Sequence, residues 1–263
     1  MTNNPIKDSL KFASIDIGSN AMRLLFCRVI EDKDSTKFIK ESLFRMPLRL
    51  GHDAFTDGVI SEENSMKLID TVGAVQLMIK AYDPIAFRSC ATAALRTALN
   101  GKKLVDEINA KVNVDLEIIS GNEEARIIMA NHIEDHLDPK KNYLYVDVGG
   151  GSTEISFISN RQKISSKSFP IGSVRLLENQ VTENDWVDME KWINKNMSKH
   201  KGHFKAIGSG GNINKIFSMS QLKRKSEIDI STIQSVLDII EPLSIQNRIT
   251  QLGLRPDLSL IHI

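Results

Sequence analysis

Residues Tyr145–Glu154 have the sequence YVDVGGGSTE, and residues Ala13–Asn20 have the related sequence ASIDIGSN. In both, an apolar or aromatic run ends in an aspartate, followed by an apolar residue, glycine and a small hydroxyl residue. The run predicts a buried strand, and the glycines predict a tight turn after it. Because glycine lets backbone N–H groups come close to an anion, each turn is a candidate phosphate-binding loop. Two such loops favour two half-sites that act on one polyphosphate-like ligand.

The aspartates of these loops, Asp16 and Asp147, are candidate metal ligands. A carboxylate at this position can hold Mg²⁺, directly or through water, where the ion neutralises phosphate oxygens. A single Asp-x-Gly turn after a strand is usually a simple hairpin, so one loop alone is a weak signal. The pair in matching context favours a ligand-binding role.

Composition limits the class of protein and its compartment. The chain has 263 residues, 41% hydrophobic and 25% charged, which is ordinary for one large or two modest globular domains. A net charge of +1 gives no field that would attract nucleic acid or an anionic membrane. Cys27 and Cys90 are too few for a disulfide scaffold, and Met1–Lys11 has no signal-peptide pattern. No apolar run is long enough to span a bilayer, so we expect a cytoplasmic protein with reduced thiols.

The chain alternates between strand and helix patterns. Besides the strands on both sides of the second glycine loop, strands are predicted at Phe12–Ile17, Met22–Ile30, Phe38–Leu50, Pro84–Ser89, Val114–Ile119 and Phe204–Ile207. Helices are predicted at Ser61–Tyr82, at Thr92–Leu99 with a stop at Asn100-Gly101, and from Ser120-Gly121-Asn122 to about His136. The apolar face of the first helix is predicted to contain Met66, Ile69, Val72, Val75 and Met78. A third glycine loop, Gly208–Asn212, precedes another helix, and the repeated order predicts two similar lobes.

Several segments together resemble the exopolyphosphatase and guanosine pentaphosphate phosphatase family, part of the actin-like, Hsp70-like and sugar-kinase-like superfamily. The segments that carry the resemblance are Ile15–Asn20, Ala91–Arg96, Ile119–Ala125, Asp147–Glu154, Pro170–Leu176, Gly208–Asn212 and Gly253–Asp257. The resemblance spans nearly the whole chain.

This resemblance implies an α/β fold of two ribonuclease-H-like, actin-like lobes with an active-site cleft between them. The lobes would be residues 1–121 and 122–257, followed by an atypical tail, 258–263. Family members continue past the Arg255-Pro256-Asp257 segment with another strand and helices, so the second lobe is expected to be incomplete. The implied activity is Mg²⁺-dependent removal of a terminal phosphate from polyphosphate or guanosine pentaphosphate.

The resemblance also assigns roles. Hydrolysis of a phosphoanhydride needs a positioned water, charge neutralisation and an in-line leaving group. Glu124 matches the family's catalytic glutamate and would position the water; the residues alone do not separate it from Glu123, since acidic residues favour helix N-termini. Asp147 would bind Mg²⁺, with Glu154 and Asp16 as direct or water-mediated helpers. The predicted phosphate-binding residues are Gly18, Ser19, Asn20, Arg96, Gly149, Gly150, Gly151, Ser152, Thr153 and Gly210.

Alternatives stay open at several positions. The loop Gly208–Asn212 either binds phosphate or permits tight helix packing, and Arg96 could be an ordinary surface residue of a helix. His132 and His136 are interpreted as solvated rather than metal-binding, and the run Lys223–Lys225 as a solvated helix end. A kinase of the same fold and a non-enzymatic nucleotide sensor are the competing functions. The substrate preference and the oligomeric state, a homodimer included, are not fixed by the sequence.

Overall fold

The computed structural model describes residues 9–32, 35–130, 137–200, 202–223 and 227–254. The chain separates into two compact units, Met1–Ser120 and Gly121–Ile263, which are called the N-terminal and C-terminal units below. Some positions singled out in the sequence lie outside the described residues: His132, His136, Arg224, Lys225, Arg255-Pro256-Asp257 and the tail 258–263.

The N-terminal unit contains a five-stranded mixed sheet. Its strands are β1 (Leu10–Ile17), β2 (Ala21–Asp32), β3 (Ser35–Pro47), β4 (Ala86–Ala91) and β5 (Leu116–Ile118), in the order β3-β2-β1-β4-β5. The first three strands form an antiparallel meander, whereas β1, β4 and β5 run parallel. All five strands predicted in this part of the sequence are confirmed. Because β1 and β4 are parallel, their carboxyl ends lie side by side at one edge of the sheet.

The helices of this unit are α1 (Leu50–His52), α2 (Glu62–Tyr82), α3 (Ala93–Thr97) and α4 (Gly101–Val112), with a π-helical segment at Asp53–Asp57. Helix α2 begins where the Ser61 hydroxyl accepts a hydrogen bond from the Asn64 amide. Its buried side chains are Leu68, Val72, Val75 and Ile79. The predicted apolar face was therefore wrong in part, because Met66 is 55% exposed. The buried stripe is instead formed by Leu68, Val72, Val75 and Ile79, which shares only Val72 and Val75 with the predicted face.

The predicted stop at Asn100-Gly101 was also wrong. Helix α3 ends at Thr97, and Gly101 instead begins α4, a helix that the sequence pattern did not predict. A Cβ atom at Gly101 would lie 1.9 Å from the Leu95 carbonyl oxygen. Glycine is therefore needed because two backbones meet at this position, and not because a helix ends there.

The C-terminal unit contains a four-stranded sheet with the order β8-β7-β6-β9. Its strands are β6 (Asn142–Val148), β7 (Thr153–Ser159), β8 (Gln162–Phe169) and β9 (Phe204–Ser209). Its helices are α5 (Gly121–Met129), α6 (Ser173–Leu177), α7 (Glu183–Met197), α8 (Gly211–Met219), α9 (Ile230–Ile240) and α10 (Ile245–Leu252). Strand β9 is parallel to β6, and β6, β7 and β8 form an antiparallel meander. The order of a meander and then a parallel strand repeats that of β1 to β4, as the predicted duplication requires.

Helices pack on both faces of this second sheet. On one face, the Trp192 ring of α7 contacts the rings of Phe157 and Phe169, with centroids 5.4 and 5.5 Å apart. On the other face, Ile128 of α5 packs against a buried cluster of Tyr143, Tyr145 and Ile158. Helix α5 therefore covers the face to which the odd-numbered residues of β6 belong. Among the described helices, none has the length and apolar character needed to cross a lipid bilayer.

Candidate functional site

The glycine loop Gly149–Gly151, between β6 and β7, is held by one short segment, Gly172–Arg175, at the start of α6. The Ser173 amide donates to the Gly149 carbonyl oxygen at 3.0 Å, and the Val174 amide donates to that of Gly150 at 2.8 Å. The Arg175 Nε donates to the Gly151 carbonyl oxygen at 2.8 Å. All three carbonyl groups of the loop are thus bound on one side.

This arrangement determines where the amides of the loop point. In a trans peptide, the C=O of one residue and the N–H of the next point in opposite directions. Fixing three successive carbonyls on one side therefore aims the N–H groups of Gly150, Gly151 and Ser152 to the other. Among the described residues, no acceptor receives a hydrogen bond from the Gly150 or Gly151 amide. Successive amides arranged in this way form an anion-binding nest.

Gly172 allows the segment Gly172–Arg175 to hold the glycine loop closely, and this contact is called the clamp below. A Cβ atom at this position would lie 2.5 Å from the carbonyl carbon and oxygen of Gly150 and 2.6 Å from the Gly151 nitrogen. Its φ of −146° is accessible to any residue, so the requirement for glycine is one of space. The segment and the loop can approach this closely only because a side chain is absent.

Two carboxylates stand next to this loop on neighbouring strands. Asp147 of β6 is the register partner of Glu154 of β7, so their side chains share one face of the sheet, with Cβ atoms about 4.5–5.5 Å apart. Glu154 is buried, with 4% of its surface exposed. Its Oε1 accepts hydrogen bonds from the hydroxyls of Ser152 at 2.7 Å and Ser168 at 2.8 Å. Glu154 is therefore a buried, hydrogen-bonded carboxylate and not an exposed strand residue.

The two hydroxyls predicted to bind phosphate already donate elsewhere. Ser152 donates to Glu154, and the Thr153 hydroxyl donates to the Ile171 carbonyl oxygen at 2.5 Å. A hydroxyl has one proton to donate, and a phosphate oxygen only accepts. In this structure the two side chains therefore hold the loop and the carboxylate, and their contact with phosphate stays a prediction.

The carboxylate pair suits Mg²⁺. This ion commonly binds through one or two carboxylates, keeps several waters and takes substrate phosphates as further ligands. Within the described ranges, no group of three or more histidine, cysteine or acidic side chains is close enough to hold a metal. The donor set of Asp147 and Glu154 therefore fits Mg²⁺. Burial raises the pKa of Tyr145, on the same sheet face, and the negative charge of Asp147 acts in the same direction.

Helix α5 distinguishes the two adjacent glutamates. Glu123 forms two hydrogen bonds of 2.7 Å with the guanidinium group of Arg126, so its carboxylate is held along the helix. Glu124 lies four residues before Ile128 and therefore on the same side of the helix. Because Ile128 packs on the sheet face that carries Asp147 and Glu154, Glu124 is on the side of α5 that faces those carboxylates.

The third glycine loop is explained by packing. A Cβ atom at Gly208 would lie 2.8 Å from the Ile213 side chain. Gly210 has a φ of +109°, and a Cβ atom there would lie 2.5 Å from the Val148 carbonyl oxygen. These contacts account for both glycines by close approach of α8 to the strands. They also place Gly210 beside the end of β6, near Asp147.

The first predicted loop lies at the carboxyl end of β1 in the N-terminal unit. The Gly18 amide donates to the Ala21 carbonyl oxygen at 3.1 Å, which closes the turn into β2. The Ser19 carbonyl accepts from the Gly51 amide, and the Asn20 carbonyl accepts from two further amides before α1. Asp16, a predicted helper of Mg²⁺, pairs instead with Arg23 at 2.9 Å, in a bridge whose two side chains are about half exposed.

Arg96 is tied to the end of the same sheet. Its Nη1 donates to the Ile119 carbonyl oxygen at 2.7 Å, directly after β5 and before α5 begins. The Thr92 amide, at the start of α3, donates to the Ile17 carbonyl oxygen at 3.0 Å. Arg96 is therefore an anchored, half-buried side chain rather than an ordinary surface arginine, and its contact with phosphate stays a prediction.

Two sets of predicted residues thus gather at sheet ends, one in each unit. In the C-terminal unit the set is Asp147, Gly149, Gly150, Gly151, Ser152, Thr153, Glu154 and Gly210, with Glu124 on the helix that covers the same face. In the N-terminal unit the set is Asp16, Gly18, Ser19, Asn20 and Arg96. Sequence reasoning missed Ser168, because a serine in a strand carries no signal until the register of β7 and β8 is known.

Comparison with known proteins identifies the class first. The predicted class, an α/β fold of two ribonuclease-H-like, actin-like lobes, is confirmed by solved structures that superpose on almost the whole chain. An exopolyphosphatase from Cytophaga hutchinsonii has a TM-score of 0.77 at 20% identity and covers 95% of this chain and 86% of its own. A Ppx/GppA family member from Aquifex aeolicus has a TM-score of 0.70 at 22% identity, covering 96% and 87%.

The sequence then identifies the family. The profile of the Ppx/GppA phosphatase family matches residues 29–251, so the chain belongs to the Ppx/GppA phosphatase family. A bifunctional 3-dehydroquinate synthase/phosphatase from Fusobacterium nucleatum is 32% identical over 229 residues, 78% of this chain and 33% of the relative. Exopolyphosphatase 1 from Mycobacterium bovis is 23% identical over 192 residues, 69% of this chain and 55% of the relative. The chain therefore spans between a third and about half of the length of these curated relatives.

Proposed function

We propose that this protein hydrolyses terminal phosphoanhydride bonds and releases phosphate from inorganic polyphosphate or guanosine pentaphosphate, with Mg²⁺ as cofactor. The family supports a phosphatase, and the Mycobacterium bovis relative is an exopolyphosphatase. The Fusobacterium nucleatum relative is also described in part as a phosphatase. Release of phosphate is thus the common element of the proposal, and the choice of phosphate chain is its finer part.

One observation carries the proposal: the glycine loop presents amides rather than carbonyls to its open side. The clamp from Gly172–Arg175 occupies all three loop carbonyls, while the Gly150 and Gly151 amides have no acceptor among the described residues. A simple hairpin turn has no need of such a clamp. Amides fixed before substrate arrives suit a phosphoryl group whose negative charge is spread over several oxygens.

Different acidic residues would bind Mg²⁺ and position the attacking water. Asp147 and Glu154 would hold Mg²⁺, which neutralises charge on the phosphate oxygens when it is bound. Glu124 would orient the attacking water and accept its proton, whereas Glu123 is paired with Arg126 along the helix. Asp16 remains a proposed direct or water-mediated helper, and in this structure its carboxylate pairs with Arg23.

Phosphate release in the absence of an acceptor separates the proposal from its competitors. Polyphosphate, guanosine pentaphosphate and ATP are each incubated with the purified protein, in Mg²⁺ or in excess chelator, and inorganic phosphate is measured. We expect release from polyphosphate or guanosine pentaphosphate in Mg²⁺ and none in chelator. A kinase would release little phosphate from any of the three until an acceptor is added, and a sensor would bind nucleotide without turnover.

A further inference from the structure

Ser168 of β8 contacts the candidate metal site through Glu154. Its hydroxyl donates to Glu154 Oε1 at 2.8 Å, and the two residues are register partners on neighbouring strands. The Ser152 hydroxyl donates to the same oxygen at 2.7 Å. Glu154 Oε1 thus receives two hydrogen bonds, one from Ser152 in the glycine loop and one from Ser168 on β8.

These contacts suit an ionised and fixed carboxylate. An ionised carboxylate only accepts hydrogen bonds, and a buried one needs donors to replace the water it has lost. Glu154 is only 4% exposed, so protein groups must supply much of that replacement. Two donors on Oε1 also restrict rotation of the carboxylate before a ligand arrives.

The neighbouring serine on β8 has no such contact. The Ser166 hydroxyl lies 3.1 Å from the hydroxyl of its register partner Ser156, and neither group is charged. Ser166 and Ser168 share a strand, a sheet face and an intermediate degree of burial. The two serines differ in the group that each one contacts, so one is a matched control for the other.

We propose that Ser168 is a positioning residue that, with Ser152, holds the Glu154 carboxylate in the orientation that binds a divalent cation. The inference rests on the proposed function, because it assigns Glu154 to the Mg²⁺ site. Groups that orient a metal ligand through hydrogen bonds typically contribute 10- to 100-fold to metal affinity. Ser168→Ala should therefore weaken binding of Mn²⁺, used alone as a probe for Mg²⁺, by about 10- to 100-fold.

The experiment measures Mn²⁺ binding by titration calorimetry, without substrate, on the whole protein. Ser168→Ala is compared with Ser166→Ala, which should bind as the parent does, and with Ser168→Thr, which keeps the hydroxyl and should retain most of the affinity. Ser168→Cys keeps the volume but offers a weak donor, so it carries the test if the alanine variant does not fold. In a Glu154→Gln background, Ser168→Ala should have no further effect, because a residue that acts through another is non-additive with it.

Each outcome supports or overturns the role proposed for Ser168. Parental Mn²⁺ affinity in Ser168→Ala, an equal loss in Ser166→Ala, or additive losses with Glu154→Gln would overturn the inference. So would a parent protein that binds no Mn²⁺. If the parent binds Mn²⁺ but releases no phosphate from any substrate, the proposed function fails, while the comparison of the serine variants still decides the role of Ser168.

Discussion

Gly172→Ala tests whether the clamp on the glycine loop controls turnover. The added Cβ atom would lie 2.5 Å from the Gly150 carbonyl group, whereas ordinary van der Waals contact begins at 3.4 Å. The loop must therefore retreat by about 0.9 Å, since closely packed backbone cannot absorb such an overlap. A misplacement of about 1 Å in a positioning group can cost about 10²-fold in rate. We expect phosphate release by Gly172→Ala to fall by about that factor.

The control is Gly73→Ala. Gly73 lies within α2, where an added Cβ atom would have no heavy atom within 4 Å, so this variant should keep parental turnover. Alanine in a helix interior also stabilises by about 0.5–1 kcal/mol relative to glycine. Thermal unfolding of both variants shows whether they fold. A folded Gly172→Ala protein with parental phosphate release would refute the argument that the clamped amides bind the reacting phosphate.

Three further perturbations test the other parts of the account. Glu124→Gln should lower turnover by about 10²–10⁴-fold, and Glu123→Gln should stay near the parent; equal kinetic effects would contradict the assignment of the base. Burial acts to raise the pKa of the Asp53 carboxyl, but hydrogen bonds from Ser61 and Asn64 outweigh it and leave this pKa below its ordinary value. The stabilisation is therefore present above the unfolded-state pKa of about 3.9 and lost as pH falls through the folded-state pKa. Asp53→Ala should lose about 1.5–3 kcal/mol in urea unfolding at neutral pH and less in acid, and a difference that does not change with pH would contradict this reasoning. Buried Arg248 donates to carbonyl groups at the end of α9, and Arg248→Ala should lower the free energy of unfolding by about 1–3 kcal/mol in the same assay, whereas no change would mean that water replaces those bonds.

The strands and glycine loops could be predicted from the sequence because their signals are local. An apolar run that ends in Asp-x-Gly determines both a strand and its turn within a few residues, as at Asp147. The start of α4 could not be predicted in this way. Gly101 is explained by its approach to the Leu95 backbone, a tertiary contact that no sequence window contains.

The candidate site also contains residues that local sequence signals predict and residues that depend on tertiary contacts. The carboxylates and the glycine loop were predicted by type and spacing, and Glu124 by resemblance to the family. The hydroxyls of Ser152 and Thr153 were predicted to bind phosphate. In the structure they donate instead to the Glu154 carboxylate and to the Ile171 carbonyl oxygen. Ser168 reaches Glu154 only because of the register between β7 and β8, which shifts at an irregularity between Phe157 and Ile158. Such cross-strand contacts depend on pairing that the sequence does not state.

Phosphate release from polyphosphate and guanosine pentaphosphate, in Mg²⁺ and in excess chelator, tests the central claim most directly. The account predicts release in Mg²⁺ without any acceptor, loss of release in chelator, and its return when Mg²⁺ is added back. Full release in excess chelator would contradict the role given to Asp147 and Glu154. No release from either substrate in Mg²⁺ by the folded protein would contradict the proposed function itself.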